Sequence, residues 1–312
     1  MTNRVTELLN IRYPILLGGM AGVTDATLAA AVSEAGGLGT IAAAKESAQS
    51  LKESIVNLRK LTKQPFAVNI PIIVPQVKEL IAEVIECQVP IVITAAGSPS
   101  GYTDILKAAH IKVIHVIPCV DAAKKAEDAG VDAVIAEGFE SGGFASPYEI
   151  GTLALIPQVV DVIKIPVIAA GGIADARGYA ACLILGAEGV SVGTAFLATV
   201  ECSQIGSAWR TQIINGNDTS TKVVARGVMP LRMLINSSSN SLEKLVAEGA
   251  SKKDIVNYIF TMDTMSSKDG PFPCGQAVGL IKKIRTVREV IEDLVYSAKI
   301  LINRLYIEST NR

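Results

Sequence analysis

Between Tyr13 and Thr199 the chain repeats one unit, a short run of apolar, often β-branched residues followed by a longer stretch with helical spacing of its apolar positions. Eight such runs occur, at Tyr13–Leu17, Leu38–Ala42, Phe66–Ile70, Pro90–Ala95, Lys112–Ile117, Asp132–Ala136, Pro166–Ala170 and Gly189–Val192. Several are apolar at nearly every position, the pattern of strands covered on both faces. Between them lie helix-period segments such as Asp25–Ala35, Leu51–Leu61, Val77–Cys87, Ala122–Ala129 and Ala176–Leu185, three of which run into Gly36, Gly130 or Gly186. Glycine accepts the left-handed conformation that stops a helix. Strand and helix in alternation predict a parallel sheet, and eight units predict closure into an α/β fold of the (β/α)8 TIM-barrel type. An open doubly wound sheet is the competing architecture.

A chain of 312 residues accommodates one such barrel with an appendage. Apolar residues make up 49% of it but aromatics only 4%, so Ala, Val, Ile and Leu must fill the core, as they do in a layered barrel interior. The 29 basic and 30 acidic residues leave a net charge of -1 with no long run of one sign, which argues against nucleic acid or an anionic membrane as partner. No stretch of about eighteen apolar residues escapes Gly, Pro or charge, and the start MTNRVTELLNIRYPI lacks the features of a secretory leader. The cysteines (Cys87, Cys119, Cys182, Cys202, Cys274) are scattered, with no C-x-x-C pair and no histidine at metal spacing. They read as reduced thiols of a cytoplasmic protein without a metal centre.

Past Thr199 the pattern changes to polar turns, Asn215-Gly216-Asn217-Asp218 and Ser237-Ser238-Ser239-Asn240, and to helical segments at Ser241–Glu248, Lys252–Thr261 and Arg288–Arg304 without clear intervening strands. The expected division is a barrel domain of residues 1–201 plus 268–312, with 202–267 inserted near the mouth as a small helical cap. The segment from Gly275 onward returns to the barrel wall.

Side chains fill a barrel of this kind, so chemistry is confined to the loops at the C-terminal strand ends. Read in order, these ends are poor in acids and bases and rich in glycine, which suits a flat group pressed against backbone. Gly171-Gly172 after the seventh run and Gly193-Thr194 after the eighth can turn backbone N–H groups toward a phosphate; alone, each is also an ordinary tight turn. Gly18-Gly19-Met20 leaves room for a ring, or is a turn followed by a core methionine. Asn69 ends an apolar strand and needs partners once covered. Glu137 suits a sugar-like hydroxyl, proton movement, or bonds to its own loop Gly138-Phe139-Glu140-Ser141-Gly142-Gly143-Phe144. His110 ends a helix and His115 lies within the fifth strand, below the mouth; both suit structural roles.

These residues resemble the nitronate monooxygenase family and, within it, the type II enoyl-acyl-carrier-protein reductases. The likeness runs through Thr6-Glu-Leu-Leu, Tyr13-Pro14, Gly18-Gly19-Met20, Glu34-Ala-Gly-Gly-Leu-Gly39, Pro65-Phe-Ala-Val-Asn-Ile70, Ala133-Val-Ile-Ala-Glu-Gly138, the Gly171-Gly172 and Gly193-Thr194 turns, and Gly275-Gln276-Ala-Val-Gly279. The resemblance implies non-covalent FMN, with Gly171, Gly172, Gly193 and Thr194 at its phosphate and Gly19, Met20, Asn69, Glu137 and Gln276 near its ring or ribityl chain. It also implies NADH or NADPH as electron donor and a small-molecule or thioester substrate, carried on coenzyme A or an acyl-carrier protein. A homodimer is compatible with it.

The sequence departs from the family at three places. The pattern Glu-Gly-x-Glu-x-Gly-Gly-His places an acid–base histidine where this chain has Phe144, which cannot exchange a proton. The Gln that commonly precedes Gly-Gly-Met is Leu17, and the Gln two residues before Gly-Thr is Ser191; both replacements are expected to remove polar groups near the flavin. A proton, where needed, would then come from Cys119, Ser141 or Tyr148. The sequence therefore predicts either an NAD(P)H-dependent flavin reductase of an activated alkene or quinone, a nitronate monooxygenase, or a flavin-binding protein without that chemistry.

Overall fold

The computed structural model describes residues 3–261 and 269–310. Each apolar run forms a strand: β1 (Ile15–Leu17), β2 (Gly39–Ala42), β3 (Phe66–Pro71), β4 (Ile91–Ala95), β5 (Lys112–Ile117), β6 (Ala133–Glu137), then β8 (Val167–Ala170) and β9 (Gly189–Val192), with β7 (Gly143–Phe144) in the intervening loop. The eight barrel strands are parallel in the order β1-β9-β8-β6-β5-β4-β3-β2. The two ends of that order meet at Leu16 and Leu38, where Leu17 N–H donates to Leu38 O and Leu38 N–H to Ile15 O, each at 2.9 Å. The sheet is therefore a barrel and the open alternative is excluded. The three helix-stopping glycines take φ of 95° (Gly36), 77° (Gly130) and 98° (Gly186).

Successive residues of a strand point to opposite faces, so each strand divides its side chains between the barrel axis and the surrounding helices. Leu16, Leu38, Ala67, Ile91, Ile93, Ile114, Ala133, Ile135, Ile168 and Ala170 form one cluster along the axis. Val68, Val92, Val113, Val134, Ala136, Ala169 and Val190 belong to the layer shared with the helices. The axial cluster also contains Val5 and Leu9 of an N-terminal helix, Arg4–Leu9, held by a capping box between Asn3 and Thr6. That helix plugs the end of the barrel remote from the mouth, and its single apolar turn was too short to read as an element of the sequence pattern.

His115 and Thr94 lie on the helix-facing parity of β5 and β4, opposite the axial Ile114 and Ile93. The His115 ring is buried, with Nε2 3.1 Å from Gly97 O and Nδ1 2.7 Å from Thr94 Oγ1. A carbonyl can only accept, so Nε2 carries the proton and the threonine hydroxyl donates to Nδ1. Burial pushes the imidazole pKa down to about 4, against the two hydrogen bonds. It is a neutral structural residue of the wall, as the sequence suggested.

The segment after β9 contains the helices expected of a small cap, Ser237–Ala247 and Lys252–Thr261, and adds strands to them. It carries two antiparallel strands, β10 (Thr221–Val224) and β11 (Leu231–Leu234), and β7 joins them with Phe144 opposite Leu231 and Gly143 opposite Arg232. β10 and β11 are each only four residues long, too brief to show alternation. The Ser237–Asn240 stretch read as a turn is instead the start of helix Ser237–Ala247, because Asn236 accepts from Ser239 N–H at 3.0 Å while Ser239 Oγ accepts from Asn236 N–H at 2.9 Å. Val224, Leu231, Met233, Leu242 and Ile255 form the cap's own small core. Helix Lys252–Thr261 follows as expected, and the expected boundary at 267/268 lies outside the described residues. From Gln276 the chain returns to the wall through helices Val287–Glu292 and Ala298–Thr310, separated by a π-helical turn. Among the described residues no helix is long and apolar enough to cross a membrane.

Two tests follow from this packing. A Cβ on Gly39 would stand 1.9 Å from the carbonyl oxygen of Ala29, a backbone atom of the helix lying on β2. Gly39→Ala should therefore cost about 3 kcal/mol or more in urea unfolding, at the upper end for overpacking; unchanged stability would mean that the helix does not sit so close. His115 should keep its neutral Nε2–H signals in NMR titration down to about pH 5. Because its pKa is lowered on folding, protonation opposes the folded state, and stability from this group is lost as pH falls from about 6.5 toward 4. A titration midpoint at the ordinary value would show that water reaches the ring.

Candidate active site

The parity that places Ala67, Ala133 and Ile135 on the axis continues upward to Asn69 and Glu137, so both side chains belong to the barrel mouth. Asn69 is buried and donates through Nδ2 to Ile93 O at 3.2 Å. It presses against the turn after β1, where a Cβ on Gly19 would lie 2.5 Å from the Asn69 side chain. Met20, the next residue, approaches Gly193, whose ideal Cβ position is 3.5 Å from the methionine sulfur. The ends of β1, β3 and β9 thus meet in one patch. Ser191, buried on β9, lies on the axial side, since Val190 and Val192 face the helices. Leu17 does not belong to this patch: it is fully buried in the helix-facing layer with Ile15, so the replacement there removes no polar group from the mouth.

Gly171 and Gly172 have φ of 100° and 75°, a sharp left-handed turn at the end of β8. A Cβ on Gly171 would meet Gly138 O at 2.9 Å and Ser141 Oγ at 3.0 Å, so the β8 turn and the loop after β6 are pressed together. Thr152 fastens this junction. Its N–H donates to both Glu140 carboxylate oxygens at 3.0 and 2.9 Å, and its hydroxyl lies 3.0 Å from Glu140 Oε2 and from Gly171 O. Glu140 therefore caps the helix Thr152–Val160. The segment 274–276 crosses the same loop: Gln276 N–H donates to Glu140 O at 2.9 Å, and Gly275 N–H donates to Thr194 Oγ1 at 3.0 Å. A Cβ on Gly142 would fall 2.6 Å from the Cys274 carbonyl carbon, so only glycine permits these two backbones to pass.

The electrostatics of the mouth centre on Glu137. Glu137 is partly exposed as a residue, but burial of its carboxyl by the surrounding protein pushes its pKa up to about 7, with the neighbouring Ser141 hydroxyl pulling back. Cys274 is buried beneath Thr194, and its thiol is pushed up to about 12. Of the other residues expected to move a proton, Cys119 precedes the helix Val120–Asp128 at the end of β5, and Tyr148 is exposed with its N–H on Ser146 Oγ. Phe144 is half-exposed on β7. Gln276 opens a short 3-10 helix with its side chain exposed. His110 lies outside the mouth in a left-handed turn (φ 60°) beyond helix Thr103–Ala108.

Arg232 is a residue the sequence reading missed. It is 4% exposed, donates through Nε to Phe139 O at 3.1 Å, and holds its guanidinium 5.0 Å from the Phe139 ring centre. Burial lowers its pKa, opposed by the Glu140 charge. An arginine inside LRML gives no pattern that separates an exposed position from a buried one. Arg226 also stacks on Phe139 at 5.5 Å while paired with Glu149. Two cations thus clamp the loop that carries Ser141 against the cap.

Comparison with known proteins places this geometry. A family model described as nitronate monooxygenase matches residues 2–297. A Staphylococcus aureus (strain Newman) protein named probable nitronate monooxygenase is 39% identical, over 72% of this chain and 78% of that protein. The structure of FabK from Thermotoga maritima superposes with a TM-score of 0.93 at 39% identity, covering 98% of this chain and 99% of that one. A nitroalkane oxidase from Streptomyces ansochromogenes gives 0.79 at 26% identity, covering 97% and 100% of the two chains. With the family model matching residues 2–297 and the Thermotoga maritima FabK structure covering 98% of the chain, the chain belongs to the nitronate monooxygenase family of flavoprotein oxidoreductases.

Proposed function

We propose that this protein is an FMN-dependent oxidoreductase that takes electrons from NADH or NADPH and reduces an activated alkene, such as an enoyl thioester on coenzyme A or an acyl-carrier protein, or a quinone. When bound, FMN would supply a hydride carrier between the nicotinamide and an electron-poor carbon. The observation that carries the reading is the convergence of the Gly171-Gly172 turn, Gly193-Thr194 and the Gly275-Gln276 crossing around one loop.

The residues present fit that cofactor. The left-handed Gly171 and Gly172 and the bare Gly193 form a cradle that side chains would fill, and with Thr194 they would hold a terminal phosphate. Gly19 and Met20 would bound one side of a ring, while Asn69 and Gln276 would offer amide donors and acceptors to its edge. Glu137 would face the ribityl chain or the ring from the axis. One phosphate-sized cradle without a GxGxxG strand–helix turn favours FMN over FAD.

Reduction of an alkene or quinone suits this mouth better than nitronate oxidation. Proton abstraction in the family pattern belongs to a histidine at position 144, where this chain has Phe144, and both histidines lie elsewhere. The aromatic side chain excludes water and offers a stacking face to a planar acceptor, without exchanging a proton.

Purified protein should carry FMN that bleaches rapidly with NADH or NADPH and reoxidises on adding an enoyl thioester or a quinone. Failure of either nucleotide to bleach it would favour a flavin-binding protein that has lost the chemistry. A folded Gly172→Glu protein should be empty of FMN; stoichiometric retention would put the phosphate elsewhere. Nitronate turnover should be weak in the native protein and rise in Phe144→His. Efficient native oxidation of nitronates with a bell-shaped pH profile would overturn this assignment of position 144.

A further inference from the structure

A conjugated acceptor that gains a hydride at one atom needs a proton at its partner atom: acceptor, hydride and proton together give the saturated product, and the nicotinamide leaves oxidised. The enzyme must therefore hold a proton at the mouth. The histidine that does so in the family pattern is Phe144 here, His115 has both nitrogens committed in the wall, and His110 is outside. Cys274 lies buried under Thr194, and Tyr148 is exposed in a loop. Glu137 stands on the axial rail at the end of β6, and Ser141 in the loop that follows bonds that carboxyl with its hydroxyl and lies 3.0 Å from the position a Cβ on Gly171 would take; the other carboxyl–hydroxyl contact beside this turn, Glu140 with Thr152, is committed to the start of helix Thr152–Val160.

We propose that Glu137 and Ser141 are the proton-delivery pair of this enzyme. Ser141 gives its hydroxyl proton to the electron-rich atom of the substrate, Glu137 replaces that proton, and water reprotonates the carboxyl. The pair rests on the reading of the protein as a reductase and deepens it.

The surroundings suit such a store. Burial makes the charged form of Glu137 costly and brings its pKa to about 7, so the acid is half-protonated at neutral pH. No cation reverses this. On β5, which pairs with β6, the ionisable residues are Lys112, at the end of the strand remote from the mouth with its ammonium on Leu8 O, and neutral His115; Cys119 lies just beyond that strand, and in the loop after β6 the Glu140 carboxylate is tied to Thr152. Strand β8 and helix Thr152–Val160 carry no ionisable residue. Asp121, Lys124, Lys125 and Asp128 of helix Val120–Asp128 are exposed, its Glu127 accepts from the N–H groups of Lys164 and Ile165, and Arg232 of the cap bonds Phe139 O. The Arg232 clamp and the Gly142 crossing fix the loop, so Ser141 is presented at one position.

The test uses the FMN-loaded protein. With an enoyl thioester, kcat of the native enzyme should be highest below about pH 7 and fall about tenfold per unit above it, as expected of an acid that must be protonated. Glu137→Gln and Ser141→Ala should each lower kcat about a hundredfold, and Glu137→Gln should abolish the alkaline fall. Difference infrared spectroscopy gives a readout independent of turnover: the native protein should show a protonated carboxyl band that disappears with a midpoint near pH 7 and is absent from Glu137→Gln. Absence of native turnover with alkenes and quinones alike would remove the reading on which the pair rests. Native turnover with the same pH profile in Glu137→Gln, or a carboxyl band lost near the ordinary glutamate range, would overturn the pair alone.

Discussion

Closure of the sheet between Leu16 and Leu38 is the constraint on which the other features of the molecule depend. Once β1 and β2 meet, each strand has an inside and an outside, and a residue's place in the two-residue alternation decides whether it packs, binds or reacts. Ala133, Ile135 and Glu137 share one rail of β6; His115 sits on the opposite rail of β5 from Ile114. The same closure makes the axis a solid core rather than a channel, with the Arg4–Leu9 helix sealing its lower end, so polar groups on the inner rail gather near the mouth.

A parallel barrel also sets the electrostatic terms of its own mouth. Its strands are apolar because both faces are covered, and an acid at a strand end inherits that environment with few counter-charges. Glu137 illustrates this: no nearby guanidinium or ammonium offsets its loss of water, and a hydroxyl is the compensating group. Arginine enters instead on the cap side, where Arg232 and Arg226 hold the loop by its Phe139 ring and carbonyl. The site thus separates the groups that build the loop from the group positioned to titrate.

Most of the barrel was legible because its signal is redundant. Eight apolar runs, helix-period intervals and glycine stops all report the same architecture, and the strands form within a residue or two of those runs. The glycine turns of the mouth were legible for a related reason, since a sharp strand-end turn leaves few residue types available. The cap was less so. TKVV and LRML are too short to display a period, and they become strands by pairing with each other and with Gly143-Phe144, a contact between segments far apart in sequence. The buried Arg232 was hidden for the same reason, because its partners are the Phe139 carbonyl and ring. Leu17 shows the converse error: adjacency to Gly18-Gly19 placed it at the mouth on paper, whereas strand parity turns it toward the helices.

The pairing of β7 with β11 changes what the word insertion means for the segment that carries β10 and β11. By order along the chain the cap is a detour between the last barrel strand and the closing helices. By backbone hydrogen bonding it is sewn to the loop after β6, because Gly143 and Phe144 form the third strand of its sheet. Excising the detour would not leave an intact barrel behind; it would unstitch the edge that holds Ser141 and expose two strand residues without a ladder. Exchange of caps between relatives is therefore a problem of matching seams: a transplanted cap must bring a β11-like edge in register with Gly143-Phe144, whatever else it recognises.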